Sequence, residues 1–463
     1  MTHYHFIGIG GTGLSAIARV LLEKGNTVSG SDHNLSPQAQ ELINLGVKVS
    51  TGHDPLNVTG ADIVIRSSAV KDDNPEVIAA RNTGIPVLKR FQMLSGLTRG
   101  QEVIAVAGTH GKTTTTAMAV WAFTKLGLDP SFVLGSDLRD LNLNGHYGKG
   151  GYFVIEADEY DNMFLGLDPR FTVVTYMEHD HPDCFPTLED YRTAFVNFIH
   201  RCQKGGILLL NRDDPGAFSL FGEVPLEVGV YSFGVHPESD YRISDAKINS
   251  KGGYSFSVIR HKEGREAVCL CDLDLQVPGE HNMRNAVAVI ALVHQMGLDV
   301  SAAAFALAGF SGAGRRFEVR GEVNGIAIID DYAHHPTEIR ATLQGARARY
   351  PQRRIWAVWQ PHTFTRVQSL ANEFASAFED ADKVIVTEIY AARESGNPFS
   401  SKEIVEKMTR SDARFVETLE LAQYLLLKEL QPGDVLLVLS AGDADRISAG
   451  VLNALKERGE QNA

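Results

Sequence analysis

Cysteine is scarce in this chain. Its 463 residues include only Cys184, Cys202, Cys269 and Cys271, too few for a disulfide framework and in no recognisable metal-ligand set. Cys269-Leu270-Cys271 is the one close pair, and on a strand of alternating character it reads as two free thiols rather than a metal or redox couple. Long apolar runs are missing too, none approaching the ~18 residues of a membrane-spanning helix. Met1 to Gly13 reads at once as a strand and a glycine turn, so no secretory leader is expected. Basic residues do not dominate: 44 Lys and Arg against 57 Asp and Glu give a formal charge of -13. That balance excludes a general nucleic-acid binder, which needs a basic footprint. Anionic substrates must be met by local groups instead of overall attraction. Repeats and low-complexity segments are absent. What remains is a reduced, cytoplasmic enzyme of small molecules, monomer or homodimer, with neither membrane nor nucleic acid among its expected partners.

What is present is alternation of strand and helix patterns over a length that requires two or three cores. In residues 1–98 a strand at 3–9 runs into Gly8-Ile9-Gly10-Gly11-Thr12-Gly13, a helix follows to Leu22, Gly25 stops it, and a strand from Thr27 ends at Ser31-Asp32. This is a dinucleotide-type turn with an acidic residue about twenty positions on. Strand-like runs recur at 62–66 and 85–88, and 94–101 reads as a linker. Residues 99–312 hold further buried-type strands, an amphipathic helix after a capping box at Thr187-Leu188-Glu189-Asp190 with Leu188, Tyr191, Phe195, Phe198 and Ile199 on one side, and a period-two stretch at 241–271 that predicts an antiparallel excursion. A glycine-rich break at 309–314 precedes a third unit, 313–463, with strands near 326–330, 354–359, 383–388 and 434–439. The expectation is an α/β protein of three domains: Rossmann-like, central phosphate-loop, and Rossmann-like again.

The densest signal is Gly108-Thr109-His110-Gly111-Lys112-Thr113-Thr114. It follows the apolar run 103–107 and precedes a helical pattern over 115–126 closed by Gly127. Strand, glycine loop with Lys-Thr, and helix form a phosphate cradle. Backbone N–H groups and the positive helix end face the anion, Lys112 adds a point charge, and the Thr113 hydroxyl can ligate Mg²⁺. The loop is short, because Val106 stands where the common form has its first glycine. That points away from GTPases and motor ATPases, towards a narrower group of ATP users.

Ligands of open α/β sheets bind beyond the carboxyl ends of strands. Glu156-Ala157-Asp158-Glu159 and Glu178-His179-Asp180-His181 follow two such strands. Near a phosphate loop, a carboxylate and an imidazole there could hold one or two Mg²⁺ ions; each cluster alone reads equally as solvated charge or helix caps. His281-Asn282-x-x-Asn285 suits base or ribose bonding, or capping. Gly314-Arg315-Arg316-Phe317 offers a cation to a phosphate, or a solvated pair. Asp330-Asp331-Tyr332-Ala333-His334-His335-Pro336 is dense for mere surface, with Pro336 suited to a first helical turn. Gln360-Pro361-His362-Thr363-Phe364-Thr365-Arg366 brings His362 and Arg366 towards the same cleft. A nicotinamide-dependent oxidoreductase would explain the first glycine turn but leave the Lys112 loop unused. The diphosphate of a UDP-sugar would sit on the same helix terminus.

Assembled, these motifs resemble the Mur ligase family of peptidoglycan synthesis nearly end to end. The likeness is carried by 5–13, Ser67-Ser68-Ala69-Val70, Asn74-Pro75-Glu76, 108–116, 156–160, Asp180-His181-Pro182-Asp183, 279–286, 315–317, 330–339 and 360–366. The resemblance implies that the first domain holds UDP-N-acetylmuramate, with Gly10, Gly11, Thr12, Asp32, Ser67 and Ser68 at that subsite. It implies ATP on Gly108, Thr109, His110, Gly111, Lys112, Thr113, Thr114, Asn285 and Arg316, with Mg²⁺ (or Mn²⁺) on Thr113, Glu156 and His181. His334, His335 and Arg366 fall on the amino-acid side, and Lys112, Glu156, His181 and His334 carry the chemistry. The implied reaction joins L-alanine to the lactyl carboxylate through an acyl phosphate. A relative that adds a ready-made tripeptide is the nearest alternative, disfavoured by 360–366 and Ile389-Tyr390-Ala391-Ala392-Arg393-Glu394. One departure is Thr363-Phe364, where some members carry Arg-Tyr. His179, at a variable position, is given no role.

Overall fold

The computed structural model describes residues 1–261, 264, 266–392, 394, 399–409 and 412–461. Among the described residues the apolar runs assemble into three sheets. The first is parallel throughout, in the order Lys48–Thr51, Thr27–Asp32, His3–Ile7, Ile63–Arg66, Val87–Lys89. Chain order reverses about His3–Ile7, so the crevice of this sheet lies at the end of that strand, where the glycine turn feeds the helix Thr12–Glu23.

The expected linker at 94–101 is corrected at its start. Leu94 and Leu97 belong to the helix Arg90–Leu97 and are buried. Packing against the central domain overrides the mixed local composition there.

The second sheet carries the phosphate loop. Its parallel part runs Gly229–Gly234, Ile207–Asn211, Phe171–Val174, Glu102–Ala107, Tyr152–Glu156, Ser131–Leu138. The antiparallel excursion forms one edge as Tyr241–Ile248, Tyr254–Arg260 and Val268–Asp274. A hairpin of Ser131–Leu138 with Leu143–His146 forms the other, and nothing in the short runs at 131–146 announced it. The capping box opens the helix Leu188–Ile199 as read, and Tyr191, Phe195, Phe198 and Ile199 are buried. Leu188 is not: it is 56% exposed, because the box leaves it in the first turn at the solvent end of the helix.

The third sheet runs Glu318–Val323, Ile326–Asp331, Val435–Ser440, Ile355–Gln360, Lys383–Thr387, Asp412–Val416, the first pair antiparallel and the rest parallel, with an apolar cluster on each face.

The cores decide how the parts are joined. Ile17, Val20 and Leu21 of the first domain share one apolar cluster with Val103, Phe164 and Phe195 of the second. The clusters of the third contain only residues from Phe317 onward, so no apolar cluster of the described residues spans its junction with the rest, although Gly345 packs close to Pro278 and Gly279. All four cysteines are free, and no described helix is long and apolar enough to cross a membrane.

Candidate active site

The strand Glu102–Ala107 is buried from Val103 to Ala107 and ends at Gly108, whose φ is +136°. A Cβ there would lie 2.3 Å from Thr175 Oγ1 and 2.8 Å from the Tyr176 nitrogen, so only glycine lets the loop pass. Gly111, at φ +82°, opens the helix Lys112–Lys125. Lys112 Nζ folds back onto the Gly108 carbonyl at 2.5 Å and contacts the Glu159 carboxylate at 2.8 and 3.0 Å. Burial opposes the lysine charge, but the carboxylates of Glu159, Asp158 and Glu156 outweigh it and raise the pKa. Glu159 itself has no solvent exposure.

Next to the lysine, Thr113 Oγ1 donates to Glu156 Oε1 at 3.0 Å, and Glu156 Oε2 accepts the Gly135 N–H at 2.9 Å. Two hard oxygen donors side by side suit Mg²⁺. His181, held at φ +55°, places Nε2 3.6 Å from both Glu159 and Asp180, beside Glu159 rather than Glu156. Arg316 reaches over from the third domain, 3.5 Å from Thr113 Oγ1. Asn285 donates to Asn282 at 3.1 Å, and its Oδ1 lies where a Gly111 Cβ would meet it at 3.0 Å.

The third domain supplies the opposite wall. Asp331 accepts the Phe317 and Ala333 N–H groups at 2.6 and 2.7 Å and shapes the turn before the helix Pro336–Arg349; burial pushes its carboxyl up to about 6. His334 Nδ1 lies 2.9 Å from the Tyr332 carbonyl, and burial pushes this imidazole down to about 3, so it is neutral at pH 7. Arg366, 7% exposed by side chain, crosses to the second domain and donates to Asp180 Oδ1 at 2.8 Å. His335 caps its helix through Nδ1 and faces Glu178 at 3.1 Å. His110 lies between Glu178 at 2.5 Å and Glu338 at 3.3 Å. Burial alone would lower its pKa, but the two carboxylates push it up to about 9.

The first domain closes the site from a third side. The Asp32 carboxylate accepts the Gly10 N–H at 2.9 Å, Ser67 packs against Gly8, and Ser68 donates to Asp161 at 3.0 Å. Arg90 pairs with Asp158 at 2.7 Å, and Asn144 of the second domain donates to the Thr12 carbonyl.

A cleft of about 1310 Å³ is lined by Thr12, Lys112, Glu156, His181, Arg316, His334 and Arg366 among others, so all three domains contribute to it. A smaller cavity of about 290 Å³ adjoins the loop between Thr114, Tyr176, Asn211, Asn285, Thr342 and Gly345. Gly10, Gly11, Asp32, Ser67, Ser68, Gly108 and His335 line neither. Sequence reading did not single out Tyr176, Asn211, Thr342 or the carboxylates Glu159, Glu178 and Glu338 as site residues. Glu159 and Glu178 carried a signal as members of strand-end clusters, and Glu338 fell within the 330–339 stretch without being given a role. The 389–394 segment is tied to the 360–366 motif by Glu394, which accepts the Phe364 N–H at 2.6 Å; Arg393 lies outside the described residues.

Known proteins with this architecture are recognisable along the whole chain. Residues 3–102 match the Mur ligase family, catalytic domain, 106–293 the Mur ligase middle domain, and 315–442 the Mur ligase, glutamate ligase domain. The UDP-N-acetylmuramate–L-alanine ligase of Roseiflexus sp. (strain RS-1) is 40% identical over 98% of this chain and 100% of its own. The crystal structure of the UDP-N-acetylmuramate-alanine ligase from Thermotoga maritima superposes with a TM-score of 0.84 at 30% identity, covering 99% of this chain and 100% of that one. A murein peptide ligase from Psychrobacter arcticus 273-4 gives 0.75 at 27% identity, covering 98% and 99%.

Proposed function

The chain belongs to the Mur ligase family, and we propose that it joins L-alanine to the lactyl carboxylate of UDP-N-acetylmuramate with cleavage of ATP to ADP and phosphate. The observation that carries this reading is the single cleft to which a phosphate loop, a dinucleotide-type turn and a third-domain wall bearing Arg315, Arg316, Arg320 and Arg366 all contribute. Such a cleft lets three anionic or zwitterionic partners meet away from water.

A carboxylate does not acylate an amine unaided, because its oxygen is a poor leaving group. In our reading the lactyl carboxylate attacks the γ-phosphorus of ATP, giving an acyl phosphate and ADP. Lys112, kept charged by its carboxylate neighbours, stabilises the negative charge moving onto the leaving diphosphate. Mg²⁺, on Thr113 and Glu156 with His181 nearby, would neutralise phosphate oxygens. The N–H groups of the 108–114 loop hold the phosphates, Arg316 approaches them from the third domain, and Asn285 bounds the cavity for the nucleoside.

The alanine amine then attacks the acyl carbon and phosphate departs. Arg366 holds the acceptor side of the cleft, with His335 behind it fixing the helix start. His334, neutral through burial, lines the acceptor side of the cleft, and the departing phosphate can take the proton of the tetrahedral adduct's ammonium, which is more acidic than the ammonium of free alanine. Gly10, Gly11 and Thr12 would meet the UDP diphosphate at the first helix terminus, with Ser67 and Ser68 beside it and Asp32 bracing the turn. We place the reaction in the cytoplasm, where ATP and nucleotide sugars are made.

The test is ADP release with Mg-ATP and UDP-N-acetylmuramate, adding in turn L-alanine, a muropeptide tripeptide, or no acceptor. Turnover that requires L-alanine is expected. Turnover with the tripeptide alone would move the chain to the recycling branch, and no ADP with any acceptor would overturn the ligase reading.

A further inference from the structure

We propose a second cation site, separate from the Thr113–Glu156 corner, formed by His110, Glu178 and His335 across the seam between the second and third domains and suited to a divalent ion of the Zn²⁺ class. The three donor atoms lie within 4.8 Å of one another, the one such group found among the described residues. Glu178 Oε1 is 2.5 Å from His110 Nε2 and 3.1 Å from His335 Nδ1. Two imidazole nitrogens and one carboxylate oxygen are the donor set of a tetrahedral Zn²⁺-type site with a fourth position open. Mg²⁺ prefers six oxygens and fits poorly here.

Two details favour a cation over plain hydrogen bonding. His110 turns its other nitrogen, Nδ1, to Glu338 Oε1 at 3.3 Å. A carboxylate on the far side of an imidazole fixes the tautomer and makes the near nitrogen a better ligand. His335 is in conflict as it stands. Its Nδ1 accepts the Thr337 N–H at 3.3 Å as the helix cap, yet Glu178 Oε1 faces the same nitrogen at 3.1 Å. As acceptor, Nδ1 meets the carboxylate lone pair to lone pair; as donor, it forfeits the cap. An ion bound to both atoms removes the conflict and gives up only a long cap bond. His335 is 5% exposed, and its Nε2 has no hydrogen-bond partner among the described residues that would fix the tautomer from the other side.

His110 and Glu178 belong to the second domain and His335 to the third, so a bound ion fastens the domains in the arrangement described here, next to the phosphate loop. Turnover that needs the domains to separate would be slowed, making the site a brake sensitive to transition metals. Without the ion a proton on His110 serves between the carboxylates, and the ion must displace it. The groups against His110 are Glu178 and Tyr176 from the second domain and His335 and Glu338 from the third, with Asp214 and His281 within reach of its charge and Arg316 on the far side of Glu338.

The test uses full-length, nucleotide-free protein treated with chelator and then titrated calorimetrically with ZnCl₂ in a large excess of Mg²⁺. One ion per chain is expected, with release of about one proton read from two buffers of different ionisation enthalpy. His335→Gln and Glu178→Gln, one in each domain and each checked for folding by circular dichroism, should each weaken Zn²⁺ at least about tenfold. Co²⁺ in place of Zn²⁺ should give intense visible bands of a tetrahedral site. No uptake by folded wild-type protein, unchanged affinity in both variants, or loss of uptake in a Cys271→Ser variant instead would overturn the proposal. If either variant fails to fold, the wild-type Co²⁺ spectrum decides alone, weak octahedral bands counting against the site. No substrate enters the measurement, so its failure would leave the ligase reading untouched.

Discussion

Lys112 meets Glu159 where the carboxylate is shut off from water, and the carboxylates around the lysine keep it charged. Under the proposed function the lysine therefore has two separable roles. Lys112→Ala should lower turnover at least about a hundredfold, as loss of a charge-stabilising donor does, read by ADP release. It should also destabilise the fold by about 3 kcal/mol, because the buried carboxylate loses its lysine and keeps only the Tyr191 hydroxyl and His181 beside it. Lys112→Met with Glu159→Gln should recover most of that stability in denaturant titration and none of the turnover. Recovery of both would remove Lys112 from the chemistry. The sequence made Lys112 and Thr113 legible because they sit in one contiguous motif whose spacing the phosphate dictates. Glu159 and Glu338 were not legible as partners, since which carboxylate faces which cation depends on strand neighbours and domain docking. The strained backbone of His181 and Thr363, both at positive φ in the cleft, likewise has no signature in residue type.

At the scale of elements, the phosphate loop depends on a glycine for space and on a histidine for its tie to the helix Pro336–Arg349. Gly108→Ala would drive a Cβ to 2.3 Å from Thr175 Oγ1. Nucleotide binding should fall sharply in fluorescence titration, with a stability loss of about 1–3 kcal/mol from the forced backbone. The histidine adds a pH dependence. His110 titrates near 9 when folded against an ordinary 6.5, so it binds its proton more tightly folded than unfolded. Its contribution is complete below pH 6.5, shrinks as pH rises, and is gone above about 9. In chelator, the difference in Tm between wild type and His110→Gln should be largest near pH 6 and vanish by about pH 10. A difference constant with pH would assign the effect to packing alone. Period and punctuation revealed most elements, including the antiparallel stretch after Tyr241 and the box at Thr187. They failed where packing across a domain junction outweighed local composition, as at Leu94 and Leu97, or where a helix end left an apolar residue outside, as at Leu188.

For the whole molecule, alternation alone announced α/β domains, but not how they are held together, because the deciding contacts join residues far apart in the chain. Asp180 and Arg366, 186 residues apart, are the clearest case. Both are nearly buried, and against the effect of burial the guanidinium holds the Asp180 carboxyl well below its usual range. The first and second domains share an apolar core, whereas no described apolar cluster joins the third to them, and its contacts include this pair, Arg316 at Thr113, Glu338 at His110, His335 at Glu178 and Gly345 beside Pro278. An apolar core is lost only by unfolding, but a polar seam can open while every domain stays intact. The third domain is thus the one free to swing during turnover. Arg366→Met should uncouple it, since the abandoned Asp180 gains solvation once the seam opens. Solution scattering should then show a larger radius of gyration, and calorimetry a transition for residues beyond Phe317 moved to lower temperature, with the joint melting of the first two domains nearly unchanged. An equal shift of every transition would mean that the polar seam is as cooperative as the shared core, and the argument from core composition to mobility would fail.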